Sequence, residues 1–255
     1  MRPASERKLI ASAIQFEPTF CDPFTNIGVA QQLAFEAVAK GAQIIVLPEL
    51  CMGGNSFKNQ REASVCAQTK DGYQTQALLE ISRQFGCYIV FGYVELHESR
   101  LFNSAAVIGP FGLASNVRKH NLFGSDNMWA TPGEGIHASV CTPWGRLGVL
   151  ISRDLENKPV HDGVFYNPNT RFYHQGSIDI IALPVNWVGE YSYPETAWVD
   201  LATSLNCSVI VSNRVGFDGN VHYRGGSCII DRNRKVWTNG NVFDGTAVVG
   251  GMITL

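Results

Sequence analysis

The stretch AQIIVLPEL, residues 42–50, decides the fold. It places four apolar residues, Ile44 to Leu47, in an unbroken row before Pro48 and Glu49. A strand with one solvent-facing side alternates apolar and polar residues, whereas a strand covered on both sides is apolar throughout. The stretch therefore predicts a strand buried between two layers, with a carboxylate directly after its end.

Strand-like runs of this kind recur along the chain, and helical patterns separate several of them. Further strands are predicted over residues 9–16, 87–96, 101–110, 146–152, 178–184, 207–213, 225–231 and 246–253. Apolar residues at helical spacing predict helices over residues 26–41, 72–86 and 194–207. This order predicts an α/β fold with sheet against sheet inside and helices outside. No linker-like tract interrupts it, so we expect a single domain over residues 1–255.

Composition and charge exclude several classes of function. The net charge of -2 provides no basic surface for nucleic acid or an acidic membrane. No apolar run approaches the ~18 residues that a membrane span needs. The charged N-terminal segment does not resemble a secretion signal, and the seven cysteines form no C-x-x-C pair, so we expect a reduced, cytoplasmic protein. The six histidines lack metal-ligand spacing, so we expect neither a metal nor a cofactor.

Three polar residues follow predicted core strands: Glu49, Lys119 and Ser152. Each alone has an ordinary explanation, as a surface glutamate, a solvated lysine and a serine bonded to backbone at a strand end. Strand ends of one sheet, however, converge on one crevice. Brought together there, these residues would supply a general base, an electrostatic stabiliser and an attacking atom.

The motifs that contain these residues resemble the nitrilase, or carbon–nitrogen hydrolase, superfamily over nearly the whole chain. The resemblance depends on the order and spacing of AIQFEPTFCDPFTNI (13–27), IIVLPEL (44–50), VRKHNLF (117–123), TPGEG (131–135), LGVLISRD (147–154), LPVNW (183–187) and VSNRVGFDGNVHYRGGSCIID (211–231). It implies an α-β-β-α sandwich. It also implies a small-molecule amide, nitrile or ureido substrate and a homo-oligomer, at least a dimer.

The resemblance also implies roles for individual residues. Glu49 matches the general base, and Lys119 matches the lysine that stabilises the tetrahedral intermediate. Ser152 stands where the family has its nucleophilic cysteine, and the backbone N–H of Arg153 would complete the oxyanion hole. Asp126 falls near a second acidic position of the family but is one methylene shorter.

Two further residues, Asn186 and Trp187, match a segment that lines the acyl pocket in the family. The loop over residues 157–176 follows Ser152 and is interpreted as a functional loop or a subunit contact. Its aromatic residues Phe165, Tyr166, Phe172 and Tyr173 would line the pocket or pack in an interface or loop core. Arg153 and Arg171, with Asp154 and Glu156, would sense a charged substrate, or Arg153 and Asp154 would form an ion pair.

Ser152 departs from the family at the atom that performs the chemistry. A cysteine thiol has a pKa of about 8.5 and is readily ionised, whereas a serine hydroxyl is far less acidic and usually needs a coupled histidine. No histidine lies near Ser152 in sequence, although His120 could approach it in space. We therefore expect the chain as written to be inactive or nearly so. Cys51 or Cys141 as the nucleophile is a weaker alternative, because both resemble core thiols.

Two origins of the serine remain open: a laboratory replacement of cysteine that yields an active-site mutant, and a natural pseudoenzyme that binds a ligand without turning it over. The intact motifs around Glu49 and Lys119 favour the replacement. The parent reaction is expected to be amide hydrolysis. Nitrile and N-carbamoyl hydrolysis use the same residues, but the tryptophan and glutamate that tend to follow the nucleophile of nitrilases are absent here.

Overall fold

The computed structural model describes residues 7–134, 139–155, 178–188, 196–238 and 245–255, together with the backbone of two short strands between residues 155 and 178. The strands are β1 (Lys8–Gln15), β2 (Ile44–Val46), β3 (Tyr88–His97), β4 (Arg100–Gly109), β5 (Gly112–Arg118), β6 (Val140–Thr142), β7 (Gly145–Val149), β8 (Lys158–Val160), β9 (Val164–Tyr166), β10 (Ile180–Val185), β11 (Ser208–Asn213), β12 (Val215–Asp218), β13 (Val221–Arg224), β14 (Cys228–Ile230), β15 (Val236–Trp237) and β16 (Ala247–Thr254). The helices are α1 (Pro23–Ala39), α2 (Gln60–Cys66), α3 (Tyr73–Phe85), α4 (Asp126–Trp129) and α5 (Thr196–Leu205), and a 3₁₀ turn spans Ser152–Leu155.

The strands form two sheets of six strands each, in the orders β16-β1-β2-β3-β4-β5 and β15-β14-β11-β10-β7-β6. Within the first sheet β1, β2 and β3 run parallel, and within the second β7, β10 and β11 run parallel. The strands β12 and β13 form a separate hairpin. No helix among the described residues combines the length and the hydropathy that crossing a membrane requires.

The continuous apolar run at residues 44–47 is explained by layers on both sides of the first sheet. Ile45 and Leu47 pack in a core with α1 and α3, whereas Ile44 and Val46 face the second sheet in the core between the sheets. The helix α5 covers the other side of the second sheet through Trp198. The predicted α-β-β-α layering is therefore confirmed.

The ends of α1 follow from local sequence. The Asp22 side chain accepts a hydrogen bond from the Thr25 N–H, and Pro23 occupies the first turn, so the helix starts three residues before the predicted position 26. At the other end Gly41 adopts φ +85°, a left-handed conformation that stops the helix where predicted. Pro194, expected to begin the last helix, lies outside the described residues.

The carboxyl ends of several strands hold the polar residues that the sequence singled out. Glu49 follows β2, Lys119 follows β5, Ser152 follows β7 and Asn186 follows β10. The backbone at Glu49 is fixed by close packing on Gly92 of β3. A Cβ atom at Gly92 would lie 2.4 Å from the Leu50 nitrogen and 2.6 Å from the Glu49 Cα atom.

Gly92→Ala is expected to move the backbone at Glu49, because backbone atoms cannot yield as a flexible side chain would. Such overpacking costs on the order of 1–3 kcal/mol of the free energy of unfolding. Urea denaturation of the variant measures the loss.

Gly28→Ala is the matched control, since Gly28 lies inside α1 and a Cβ atom there would meet nothing within 4 Å. Alanine in a helix interior should stabilise the fold by up to about 1 kcal/mol. Equal effects of the two substitutions would contradict the packing argument at Gly92.

Candidate active site

A cavity of about 540 Å³ opens where these strand ends meet. Its wall includes all seven residues predicted to form the site: Glu49, Lys119, Asp126, Ser152, Arg153, Asn186 and Trp187. The structure thus brings the predicted residues together, although they are scattered between Glu49 and Trp187 in the sequence. Among the described residues, no group of three or more His, Cys, Asp or Glu side chains could hold a metal ion.

Glu49 is almost completely buried and both of its carboxylate oxygens are hydrogen-bonded. Its Oε1 atom accepts from Lys119 Nζ at 2.6 Å and from Asn103 Nδ2 at 2.9 Å. Its Oε2 atom accepts from the Asn186 N–H at 2.8 Å. Since Asn186 follows β10, this last bond joins the two sheets at the cavity.

Lys119 lies between two carboxylates. Its Nζ atom donates to Glu49 Oε1 and to Asp126 Oδ2, each at 2.6 Å, and only 4% of the side chain is exposed. Burial by itself would lower the pKa of Lys119, but the charges and hydrogen bonds of Glu49 and Asp126 raise it above its ordinary value. The lysine is therefore an ammonium ion held between two carboxyl groups.

Asn103 completes this cluster and was missed by the sequence analysis. Its Nδ2 atom donates to Glu49 Oε1 and, at 3.1 Å, to Asp126 Oδ1. Its backbone carbonyl accepts from the Lys119 N–H. A single asparagine within the apolar strand LFNSAAVIG was the available signal. A fully buried amide in such a strand needs polar partners.

Ser152 adopts φ +46°, in the left-handed region that residues with a Cβ rarely occupy. It is the first residue of the 3₁₀ turn that follows the buried residues Leu150 and Ile151. This abrupt change of direction holds Ser152 on the cavity wall. Strained backbone of this kind, which costs about 1–3 kcal/mol, clusters at active sites.

No histidine of the described residues lines the cavity with Ser152. The backbone N–H of His120 donates to Asp154, which places the residue beside the site, but its side chain is absent from the cavity wall. The alternative nucleophiles are absent from that wall as well. Cys51 is fully buried in the core that faces α1, where burial raises the pKa of its thiol to about 12, and Cys141 is exposed on β6.

Asp154 ties the segment that contains Lys119 to the turn that contains Ser152. Its Oδ1 atom accepts from the N–H groups of His120, at 3.0 Å, and Asn121, at 2.8 Å. In return Asn121 Nδ2 donates to the Arg153 carbonyl at 3.0 Å. Burial raises the pKa of Asp154 to about 7, although the Asn121 N–H and the Lys119 charge oppose the shift.

The rest of the cavity wall is largely apolar and aromatic. The guanidinium carbon of Arg153 lies 4.2 Å from the ring centre of Phe123 and 4.8 Å from that of Trp187. Phe57 and Met128 also line the wall. Both polar side-chain atoms of Asn186 are buried there without a hydrogen-bond partner among the described residues. Six residues that the sequence analysis named near the site lie outside those whose side chains are described: Glu156, Phe165, Tyr166, Arg171, Phe172 and Tyr173.

Lys119→Met is expected to leave the carboxylates of Glu49 and Asp126 buried side by side without a cation. Removing one partner of a buried ion pair costs about 3–5 kcal/mol, so the free energy of unfolding at pH 7 should fall by that amount. Urea denaturation at pH 7 measures the loss.

Lys40→Met serves as the control for this variant. Lys40 forms an ion pair with Glu36 on the surface of α1, with about half of each side chain exposed. Exposed pairs contribute less than about 1 kcal/mol. A loss at Lys119 no larger than the loss at Lys40 would contradict the role of the ammonium ion.

Asp154→Asn tests the raised pKa of Asp154. An acid whose pKa rises on folding binds its proton more tightly in the folded chain, so the aspartate's contribution to stability falls as the pH rises from about 4 to about 7. The variant cannot titrate. The free energy of unfolding of the variant, measured relative to that of the parent, should therefore rise by a few kcal/mol between about pH 4 and about pH 7. Urea denaturation from pH 4 to pH 8 measures the difference.

The control is Asp71→Asn, at an exposed turn position. Its difference from the parent should change little with pH. A flat difference at Asp154 as well would show that the carboxylate is not held in a desolvated position.

Comparison with known proteins identifies the family. The carbon-nitrogen hydrolase family matches residues 10–247. A nitrilase of Pyrococcus abyssi (strain GE5 / Orsay) is 30% identical over 224 residues, which cover 88% of this chain and 81% of the relative. A protein N-terminal amidase of Schizosaccharomyces pombe is 27% identical, covering 86% of this chain and 89% of its own.

Among solved structures, an amidase from Nesterenkonia sp. AN1, with acrylamide added at its active site cysteine, superimposes with a TM-score of 0.77. The match covers 95% of this chain and 92% of the amidase at 16% identity, and it therefore shows the shared fold. The family match over nearly the whole length, together with the sandwich and its cavity, leads to one conclusion: the chain belongs to the carbon-nitrogen hydrolase family.

Proposed function

We propose that this chain is built to hydrolyse a non-peptide C–N bond, converting an amide into a carboxylate and ammonia. The observation that supports this most is the buried cluster of Glu49, Lys119 and Asp126 on the same cavity wall as the turn at Ser152. A base, a fixed positive charge and a strained turn carrying a nucleophile are the parts that covalent acyl transfer needs.

In the reaction we infer for the parent enzyme, a cysteine thiol occupies position 152. Glu49 takes the thiol proton, and the sulfur attacks the amide carbonyl carbon. Lys119 and the Arg153 N–H stabilise the oxyanion of the tetrahedral intermediate. Its collapse breaks the C–N bond, and the amine leaves with the proton that Glu49 returns. Glu49 then takes a proton from water, the hydroxide attacks the thioester, and the thiol is released with the carboxylate product.

Lys119 takes no part in these proton transfers, because its two carboxylate partners keep it charged. Asp126 holds the ammonium ion through the Nζ–Oδ2 bond of 2.6 Å. Asn103 donates to both carboxylates and fixes their separation. We propose that Asp126 and Asn103 position the lysine rather than react.

The serine at position 152 makes the chain as it stands inactive or nearly so. A hydroxyl is much less acidic than a thiol, and Glu49 is a weak base for it without a coupled histidine. We infer that serine replaces the cysteine of an active parent, as in an active-site mutant, because the residues around it still form a complete site. The amidase from Nesterenkonia sp. AN1, with its active site cysteine, is consistent with this inference.

A second candidate function is ligand binding without turnover, and the observation that favours it is Ser152 itself. Nitriles are alternative substrates, since the relatives include a nitrilase as well as an amidase. Ureido acids are a third class, because their hydrolysis would use the same residues. We favour amides because no tryptophan–glutamate pair follows position 152. We further propose that the chain acts as one domain in a homo-oligomer, at least a dimer.

Ser152→Cys is expected to raise kcat/KM for amides by on the order of 10³-fold or more, because loss of the nucleophile is among the largest single effects in covalent hydrolases. Ammonia release from a panel of primary amides, nitriles and ureido acids measures the gain. Intact-mass spectrometry of the variant with substrate should show an acyl adduct at position 152, and the added mass identifies the acyl group.

Two controls accompany this experiment. The double variant S152C/E49Q should lose the activity gained, since the base is gone while its shape is kept, and Ser152→Ala should stay inactive. A folded Ser152→Cys protein that forms no adduct and turns over none of the three substrate classes would favour the binding function. An adduct on Cys51 instead would overturn the assignment of position 152.

A further inference from the structure

A second buried ion pair lies behind the cavity wall. Arg214, directly after β11, is completely buried, and its guanidinium donates to the carboxylate of Asp218 at the end of β12. Arg214 also lies over the ring of Tyr223, 4.7 Å from its centre, and donates to the Pro18 carbonyl at 3.5 Å. Neither Arg214 nor Asp218 lines the cavity. A buried ion pair is costly to desolvate, so what matters is which parts of the chain its remaining hydrogen bonds hold in place.

The carboxylate of Asp218 also holds a segment of the cavity wall. Its Oδ2 atom accepts from the Asn55 N–H at 2.6 Å, and its Oδ1 atom accepts from the Ser56 N–H at 3.2 Å. In return the Ser56 hydroxyl donates to the Asp218 carbonyl at 3.0 Å. One carboxylate thus satisfies two successive backbone donors of a segment that belongs to no helix or strand.

The same segment is bound to its neighbours through Asn55. The Asn55 Nδ2 atom donates to the Tyr223 hydroxyl at 2.8 Å, and the Asn55 backbone carbonyl accepts from the Ser125 hydroxyl. Residues 55–58, with Val221 and Tyr223 of the hairpin, line one part of the cavity. The hairpin and the segment therefore form one wall, and the Arg214–Asp218 pair is its main charged anchor among the described residues.

This wall shares no hydrogen bond with Glu49 among the described residues. The hydrogen bonds of Glu49 go to Lys119, Asn103 and the Asn186 N–H. The wall is linked to the charged cluster through the bond from the Ser125 hydroxyl to the Asn55 backbone carbonyl, one residue before Asp126. A shift of the wall would therefore change the room for the substrate more than it would change the reacting groups.

We propose that Arg214 and Asp218 are a positioning pair that fixes the wall at residues 55–58 and so sets which acyl groups the cavity accepts. This rests on the proposed amide hydrolysis. The wall that the pair holds presents the apolar side chains of Phe57 and Val221 and the ring of Tyr223 beside the polar residues Asn55, Ser56 and Lys58. Its apolar part is the surface that a longer apolar acyl chain would contact. The pair makes no contact with the reacting groups, and its effect is on substrate binding.

The test is Asp218→Asn in the Ser152→Cys background, with acetamide and hexanamide as substrates. Asparagine has one acceptor oxygen where aspartate has two, so the Asn55 or the Ser56 N–H loses its partner. The ratio of kcat/KM for hexanamide to that for acetamide should fall about tenfold, the size of effect that pocket fit has on selectivity. The change should lie in KM, with kcat for acetamide within about twofold.

The matched control is Glu95→Gln. Glu95 is a buried carboxylate that pairs with the partly exposed Arg118, and neither residue lines the cavity. Its variant should leave the ratio unchanged. Hydrogen exchange provides a readout that needs no catalysis: at least one of the Asn55 and Ser56 amides should exchange at least about tenfold faster in Asp218→Asn, and neither should in Glu95→Gln.

The outcomes separate this inference from the proposed function. If the Ser152→Cys protein is inactive on every amide, amide hydrolysis fails, and the ratio is read instead from the dissociation constants of the same two amides on the parent chain. An unchanged ratio or unchanged exchange overturns the positioning role. If Asp218→Asn does not fold, the double variant R214Q/D218N, which buries no unpaired charge, carries the same expectations.

Discussion

The ammonium group of Lys119 is the interaction on which the site depends. Two carboxylates are buried within one side chain's reach of each other, and an unscreened pair of like charges would force them apart. The lysine satisfies both, and by doing so it joins three separate parts of the chain: the end of β2, the end of β5 and the start of α4. In the proposed reaction the same group serves folding and chemistry, because the charge that holds the carboxylates would be the charge offered to the oxyanion.

Residues at strand ends were predictable from the sequence because local pattern alone places them. Glu49 and Ser152 each follow a strand whose apolar run is visible in the sequence, and parallel strands bring their ends to one edge. Lys119 follows β5, which was not among the predicted strands, and it was identified from the motif VRKHNLF. Asp126 was matched only loosely, yet it binds Lys119 as closely as Glu49 does. The shorter side chain is accommodated because α4 begins at Asp126, and the helix places its carboxylate beside the Phe123 N–H.

Asn103 and the Arg214–Asp218 pair were not predicted, and for the same reason. Asn103 meets Glu49 across 54 positions of sequence, and Asp218 meets Asn55 across 163. Such contacts depend on the register of β4 against β3 and on where the hairpin β12–β13 folds back, which no local pattern fixes. The strand β5 was missed because its sequence, GLASNVR, contains few buried residues and does not alternate.

The left-handed turn at Ser152 has a consequence for substitution at this position. The conformation is imposed by β7 on one side and by the bonds of Asp154 on the other, so it does not depend on whether oxygen or sulfur stands at the γ position. Under the proposed replacement of cysteine by serine, one atom changes while the backbone of the turn keeps its conformation. The same scaffold would therefore accept the reverse substitution without rebuilding the turn.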